Sequence, residues 1–330
     1  MMHSAMKDIY DRLRPLGFDA AFVKNCILPD WWQDKLADVP SNRQYAEALI
    51  ARHLGIQAAS LSKRDTPLQM RESAALKLKR RHGVAENEMQ VAQILGERLA
   101  KIAAGSIDLP TNLDSLKASS IRQHILDSGA KWVGFNELLN YCWSVGIPVV
   151  NLCKLPVGSK KPDGMAIWTE DRPVIVIASG RKHPAWHIFV IAHELGHIAL
   201  GHLSAGELSI DSKVVMDSND QQEMEANTFA VELLSGNPYL SFSPPNRRLT
   251  AHELADAALS IGQELHIDPG FIALSYSRSQ NFFALAQAAL NYLGSEADAC
   301  SLYRQPYNHL DSTELTDDNK QVFEYLTEAA

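Results

Sequence analysis

The chain has 330 residues, 46% of them hydrophobic and 21% charged, with 31 basic against 39 acidic residues and a net charge of −8. This composition builds ordinary soluble globular domains, two or three at this length, and excludes a surface designed as a whole for nucleic acid, leaving room only for a regional basic patch. The start, MMHSAMKDIYDRLRPLGFD, has no apolar run after its charges, and no stretch of about 18 apolar residues occurs, so neither secretion nor membrane spanning has a signal and the cytoplasm is the expected compartment.

Four cysteines, Cys26, Cys142, Cys153 and Cys300, are scattered without a CxxC pair. They suggest neither a thiolate zinc site nor a disulfide framework, and they are expected to be reduced and mostly buried.

From Met6 to about Gly129 the pattern is helical, with apolar residues three and four apart between Pro29, Pro40, Pro67 and Pro110. Within it, Tyr45 to Lys63 places Ala46, Leu49, Ile50 and Leu54 on one helical face, turns at Gly55 and starts a second short helix near Gln57, the outline of a helix-turn-helix. A weaker copy of that outline is read in VAENEMQVAQILGERLAKIAAG, and a domain boundary is expected between Gly105 and Gly129. Residues 63 to 83, with Lys77, Lys79, Arg80 and Arg81, are the most basic part of the chain and suit either a solvated helix face or contact with DNA phosphates. Docking of a protein is favoured over DNA, because QAASLSK offers few long polar side chains for base edges. Trp31 and Trp32 suit an aromatic platform for bases or, more commonly, anchors of a small helical core.

After Gly129 the rhythm changes to a helix over Val133 to Val145, an apolar run IPVVNL, and two β-branched runs in GMAIWTEDRPVIVIAS that flank a turn at Glu170 to Pro173, which predicts a β-hairpin. From Trp186 the chain is expected to be largely helical to its end. Leu254 to Arg278 reads as helix, turn and helix, either another helix-turn-helix or a platform beside a cleft. The acidic last stretch suits an amphipathic helix or a loose tail.

The segment PAWHIFVIAHELGHIALGHL contains His193-Glu194-Leu195-Gly196-His197, an HExxH. On a helix the two imidazoles lie on one face and can bind one metal ion, with Glu194 beside the open coordination position as general base. Phe189, Val190, Ile191, Ala192, Leu195, Ile198, Ala199 and Leu200 make the helix apolar nearly all round, and ionisable groups in such surroundings need a partner or a metal. One Zn²⁺ per chain, held by three protein ligands, is the expected cofactor. His202 falls one residue short of the HExxHxxGxxH spacing, whose third histidine position is Leu203 here, and is read as a helix-end or surface residue. The third ligand is expected from a second helix, Asp220 to Pro238, stopped by Gly236 and Pro238. There Glu223 and Asn227 share a face, so Glu223 is favoured as ligand with Asn227 as hydrogen-bond partner of a ligand histidine, and Glu225 is the reserve. His183, His187, Tyr239 and Tyr276 are weaker candidates for binding substrate or an oxyanion.

AHELGHIALGH followed by EMEANTFAVELL resembles the ImmA/IrrE family of bacterial zinc metallopeptidases, which pair AHExxH with a downstream ExEANxFAxxLL segment, and the resemblance spans about Gly129 to Pro238. Two features depart from the family pattern: the proline after the double leucine is delayed to Pro238, and a long helical region precedes the motif. The resemblance implies a zincin-like peptidase domain, placed over residues 111–245; with the helical patterns on either side, read as an α-helical, helix-turn-helix-like regulatory or docking domain over 1–110 and a C-terminal helical region over 246–330, the expected fold is mainly α with a small β-sheet (α+β). It supports His193 and His197 as zinc ligands and Glu194 as base. It further implies cleavage of a specific protein, a helix-turn-helix repressor or antitoxin-like regulator encoded nearby, in a stress, phage or mobile-element response. The alternative class is a DNA-binding or regulator-sequestering protein that uses a peptidase-like fold as sensor or scaffold.

Overall fold

The structure is a computed structural model and describes residues 5–63, 66–71, 77–78, 86–114, 116–211, 220–242, 249–279, 282–294, 298–311, 313 and 315–328. Helices α1 (Ala5–Leu13), α2 (Ala20–Phe22, running on into a π-helical turn), α3 (Pro40–His53), α4 (Ala58–Ser62) and α5 (Glu86–Gly105) precede α6 (Ala118–Asp127) and α7 (Phe135–Ser144). The strands are β1 (Lys77–Leu78), β2 (Val149–Asn151), β3 (Gly164–Trp168), β4 (Pro173–Ile177) and β5 (Glu207–Asp211). Helix α8 (Pro184–Ala199) follows the hairpin, α9 (Gln221–Ser235) follows β5, and α10 (Ala251–Leu265), α11 (Pro269–Ser279), α12 (Phe283–Leu293), α13 (Ala299–Leu302) and α14 (Asp317–Thr327) complete the chain. The mainly α fold with a small sheet is as expected. No described helix is long and apolar enough to cross a membrane.

The sheet has the order β1-β5-β3-β4-β2. The expected hairpin is present, with β3 and β4 antiparallel from Gly164 opposite Ile177 to Trp168 opposite Pro173. Thr169 closes its loop by donating its hydroxyl and its amide to the Arg172 carbonyl. β2 joins β4 in parallel, β5 pairs antiparallel with β3, and β1 pairs in parallel with β5. β2 and β4 are buried at every position, which is why they read as continuous apolar runs without alternation. Around β3 the two faces can be told apart. A side chain at Gly164 would strike Val190 and Glu194 of α8, whereas one at Gly96 of α5 would strike Met165 and touch Ile167. The central strands therefore lie between α8 on one face and α5 on the other.

β1 and β5 were not foreseen. β5 is five residues long, and its pairing with β3 and β1 distinguishes ELSID from a loop. The two residues of β1 are strand solely because a distant segment supplies hydrogen-bond partners. The second helix-turn-helix outline, expected in residues 84–105, is instead the single helix α5, whose Val91, Ala92, Leu95, Leu99, Ala100 and Ala103 are buried. The first outline appears as α3, a turn and the five-residue α4. Of the four basic residues singled out, Lys79, Arg80 and Arg81 lie outside the described residues, and only the backbone of Lys77, in β1, lies within them. Trp32 packs on the core, while Trp31 is exposed and stacks on Tyr45. The acidic C-terminal stretch forms α14, which buries Val322, Phe323 and Leu326.

One continuous cluster of buried apolar side chains runs from Met6 to Leu326. Arg122, in α6, ties three helices together within it. Its guanidinium donates to the carbonyl of Leu234 at the end of α9 and to those of Leu265 and His266 at the end of α10. Helix C-termini leave carbonyls unsatisfied and carry partial negative charge, so a buried cation there meets both needs. Replacing Arg122 by Leu is expected to lower the unfolding free energy by about 2–3 kcal/mol, the scale of hydrogen bonds to a charged group. Urea denaturation checks this, and a loss below about 0.5 kcal/mol would show that the clamp contributes nothing beyond an ordinary surface contact.

Candidate metal centre

Helix α8 begins with His183 as N-cap, its Nδ1 accepting from the Ala185 amide at 3.1 Å, and Pro184 follows at the first helical position. It ends on Gly201, which adopts a left-handed φ of +69°. The amide of His202 reaches back to the His197 carbonyl at 3.0 Å and that of Gly201 to Ile198 at 3.2 Å. This is the Schellman pattern, in which a glycine reverses the chain over the last turn. The reversal sets the side chain of His202 beside His197.

Helix α9 starts at Asp220, whose Oδ1 accepts from the amides of Gln222 and Glu223, and stops at Gly236, as expected from its sequence. It lies against α8 at Gly196, where a Cβ would sit 3.2 Å from both the Cα and the carbonyl oxygen of Ala226. Lacking a side chain at this point, α8 comes close enough for a short carboxylate on α9 to reach its histidines.

His193, Glu194 and His197 are fully buried, and Glu223 is nearly so. The two Nε2 atoms lie 3.0 Å apart, with Glu223 Oε2 3.3 Å from that of His193 and Glu223 Oε1 3.4 Å from that of His197. All three donor groups fall within 4.8 Å of one another. Their hydrogen bonds identify which nitrogens carry protons. Asn227 Oδ1, 3.0 Å from His193 Nδ1, can only accept, so that nitrogen donates and Nε2 keeps its lone pair.

The same logic runs through His202. Gln221 and His202 both hydrogen-bond the Glu225 carboxyl and hold it below the usual carboxylate range. The ionised Glu225 Oε2 accepts from His202 Nε2 at 3.0 Å, which leaves His202 Nδ1 as acceptor for His197 Nδ1–H at 2.8 Å. Both histidines thus direct an Nε2 lone pair at one point facing a carboxylate. Two buried lone pairs at 3.0 Å repel unless a cation lies between them, and two neutral imidazoles plus one carboxylate form a donor set suited to Zn²⁺.

Glu225, the reserve ligand, is therefore placed on His202 and away from the cluster. His202, read as a helix-end or surface residue, does close the end of α8 but is buried at 5% exposure. The available signal was Gly201, since a glycine closing the helix folds the next residue back onto the last turn. His187 is also fully buried, with Nε2 on the Arg181 carbonyl and Nδ1 on the Tyr303 hydroxyl, and burial lowers its pKa. His183 uses Nδ1 for capping, which leaves the proton on Nε2, a buried atom with no hydrogen-bond partner among the described residues. His187, with both nitrogens engaged, is not available to an oxyanion in this arrangement. Tyr239 is 86% exposed, whereas Tyr276 is buried. The helices from Leu254 to Arg278 form a platform beside α8, with Phe271 of α11 stacked on Phe189 at 6.2 Å.

Metal affinity should follow this ranking. Glu223→Ala removes a ligand and should have the largest effect. His202→Ala and Asn227→Ala should each weaken zinc binding by about 10- to 100-fold, the scale for groups that orient a ligand. Glu225→Ala, acting through one more hydrogen bond and from a half-exposed position, should cost less than either. Competition against a chromophoric chelator measures all four, and a Glu225→Ala loss equal to that of Glu223→Ala would contradict the geometry.

Residues 148–257 match the family model described as IrrE N-terminal-like domain, Peptidase_M78. No curated protein and no solved structure matches the chain. The matched stretch holds β2 to β5, α8 and α9, and with them His193, Glu194, His197, Glu223 and Asn227. Over residues 148–257 the chain is therefore similar to the IrrE N-terminal-like domain, Peptidase_M78, and the buried histidine–carboxylate cluster lies wholly inside that stretch.

Proposed function

We propose that this chain is a zinc-dependent endopeptidase that cleaves a specific regulatory protein, a helix-turn-helix repressor or antitoxin-like regulator, in a stress, phage or mobile-element response. The observation that carries the hydrolase reading is the convergence of His193 Nε2, His197 Nε2 and the Glu223 carboxylate next to the buried Glu194. The choice of substrate rests on the family resemblance.

Bound there, zinc would supply Lewis acidity toward the scissile carbonyl and make water far more acidic. Asn227 and His202 hold the two ligand imidazoles in the tautomer that offers Nε2. Glu194, next in sequence to His193, would take a proton from the attacking water and pass it to the departing amine nitrogen. Gly164 of β3 makes room for that carboxylate, since a Cβ there would lie 2.5 Å from Glu194 Oε1 and 2.6 Å from Val190 Cγ1. Val190 is β-branched and stiff, so the carboxylate would have to give way.

The isolated protein is expected to carry about one zinc per chain, and His193→Ala or His197→Ala to lose it. Elemental analysis checks this, and full occupancy in either variant would remove the assignment. Glu194→Gln should keep zinc and fold while losing turnover by about 10²-fold or more, tested by incubation with the proteins encoded by adjacent genes. Equal cleavage by wild type and Glu194→Gln would refute the base.

Gly164→Ala probes the same carboxylate by crowding. It should retain zinc and lose about 10²-fold in turnover, the scale for displacing a reacting group by about 1 Å. Unchanged turnover would show that Glu194 does not need this space.

A further inference from the structure

Cys26 and Cys142 are buried as the sequence suggests, but Cys153 and Cys300 are only half-buried. Their sulfurs lie 3.5 Å apart although the residues are 147 positions apart in the chain. Cys153 follows β2, with its amide on the Leu326 carbonyl at 2.8 Å. Cys300 lies on the short α13, whose N-cap Asp298 accepts from the Cys300 amide. We infer that Cys153 and Cys300 form a redox-active dithiol that closes to a disulfide when the protein meets a hydroperoxide.

The surroundings distinguish the two sulfurs. Cys153 Sγ donates to Cys300 Sγ, and Asn151, itself buried, donates Nδ2–H to the same sulfur at 3.1 Å. These two donors hold the Cys300 thiol below its usual range, while its role as donor pushes the Cys153 thiol up. Burial drives the other two cysteines the opposite way, Cys142 to about 12, so neither presents a thiolate. Cys300 is therefore the attacking sulfur and Cys153 the resolving one.

The chemistry balances with peroxide as the named oxidant. The Cys300 thiolate attacks one peroxide oxygen, the O–O bond breaks, and the leaving hydroxide takes a proton to become water. Cys300 is left as a sulfenic acid. The Cys153 sulfur then attacks the sulfenic sulfur, forming the S–S bond and expelling hydroxide, which takes the Cys153 proton. Two thiols and one peroxide give one disulfide and two waters, the two electrons passing from sulfur to oxygen. A bond of about 2.05 Å requires the sulfurs to close by roughly 1.5 Å.

The bond would staple the C-terminal segment to the end of β2. That segment also reaches α8, since Ala299 donates its amide to the Lys182 carbonyl and the Tyr303 hydroxyl bonds His187. The dithiol thus lies where the C-terminal region is fastened to both the sheet and the metal-bearing helix.

The test uses the full-length, zinc-loaded protein treated with hydrogen peroxide, quenched with N-ethylmaleimide in denaturant and weighed intact. Two of the four thiols should escape alkylation, peptide mapping should find Cys153 joined to Cys300, and dithiothreitol should restore all four. Zinc content should not change, because no cysteine belongs to the metal cluster. The oxidised protein should melt roughly 5 °C higher than the reduced, as closing a long loop implies. Cys153→Ser should accumulate a dimedone-reactive Cys300 and Cys300→Ser should form no internal cross-link. Four alkylated thiols after treatment, a disulfide mapped elsewhere, or Cys300 driven to sulfinic acid without a cross-link in the wild type would each overturn the inference.

Discussion

The close approach of α8 to α9 at Gly196 is the constraint on which the site depends. A helix that is apolar around its whole circumference must be enclosed, and enclosing it strands two imidazoles and a carboxylate out of water. Only a second helix near enough to bring in its own carboxylate resolves that cost. With Ala226 against Gly196, Glu223 and Asn227 on the same face of α9 meet His193 and His197. Arg122 fastens the far end of α9 to α10, so the helix carrying the third donor is held at both ends.

Around the donors lies a layer of hydrogen bonds whose polarity matters more than its number. Asn227 settles the proton of His193 directly, and Glu225 settles that of His197 through His202. An imidazole can offer Nε2 to a metal only if Nδ1 keeps the proton, and in a site closed to solvent no water is at hand to correct the wrong tautomer. The two glutamates of EMEAN thus divide the work by helical geometry. Glu223 turns inward to the cluster, and Glu225, two residues on, reaches His202 at the margin.

The sheet contributes space and support. Gly164 on β3 leaves a gap into which Glu194 fits, and the opposite face of the same strands is covered by α5. Helices from both ends of the chain, α1 and α14 included, join the one apolar cluster. The helical segments that precede the metal motif are in that sense part of the packing around the site. The paired Cys153 and Cys300 lie at another such junction, where the C-terminal segment meets β2.

What the sequence alone determined was whatever depends on local spacing. HExxH places two histidines on one helical face whatever surrounds them, the i and i+4 relation of Glu223 and Asn227 puts both on one side of α9, and β-branched runs around Glu170 to Pro173 make a hairpin. These follow from fixed periods of 3.6 and 2 residues and need no knowledge of the rest of the chain. Tertiary structure alone decided what lies between distant segments. β1 and β5 are strands because of partners far away in sequence. Residues 86–105, the described part of a stretch read as a broken helix, run as one helix packed against β2, β3 and β4. His202 meets His197 because Gly201 reverses the chain beneath it, and Cys153 finds Cys300 across most of half the molecule. Periodicity assigns each residue a face, but the partner that face meets is set by the packing of the whole chain.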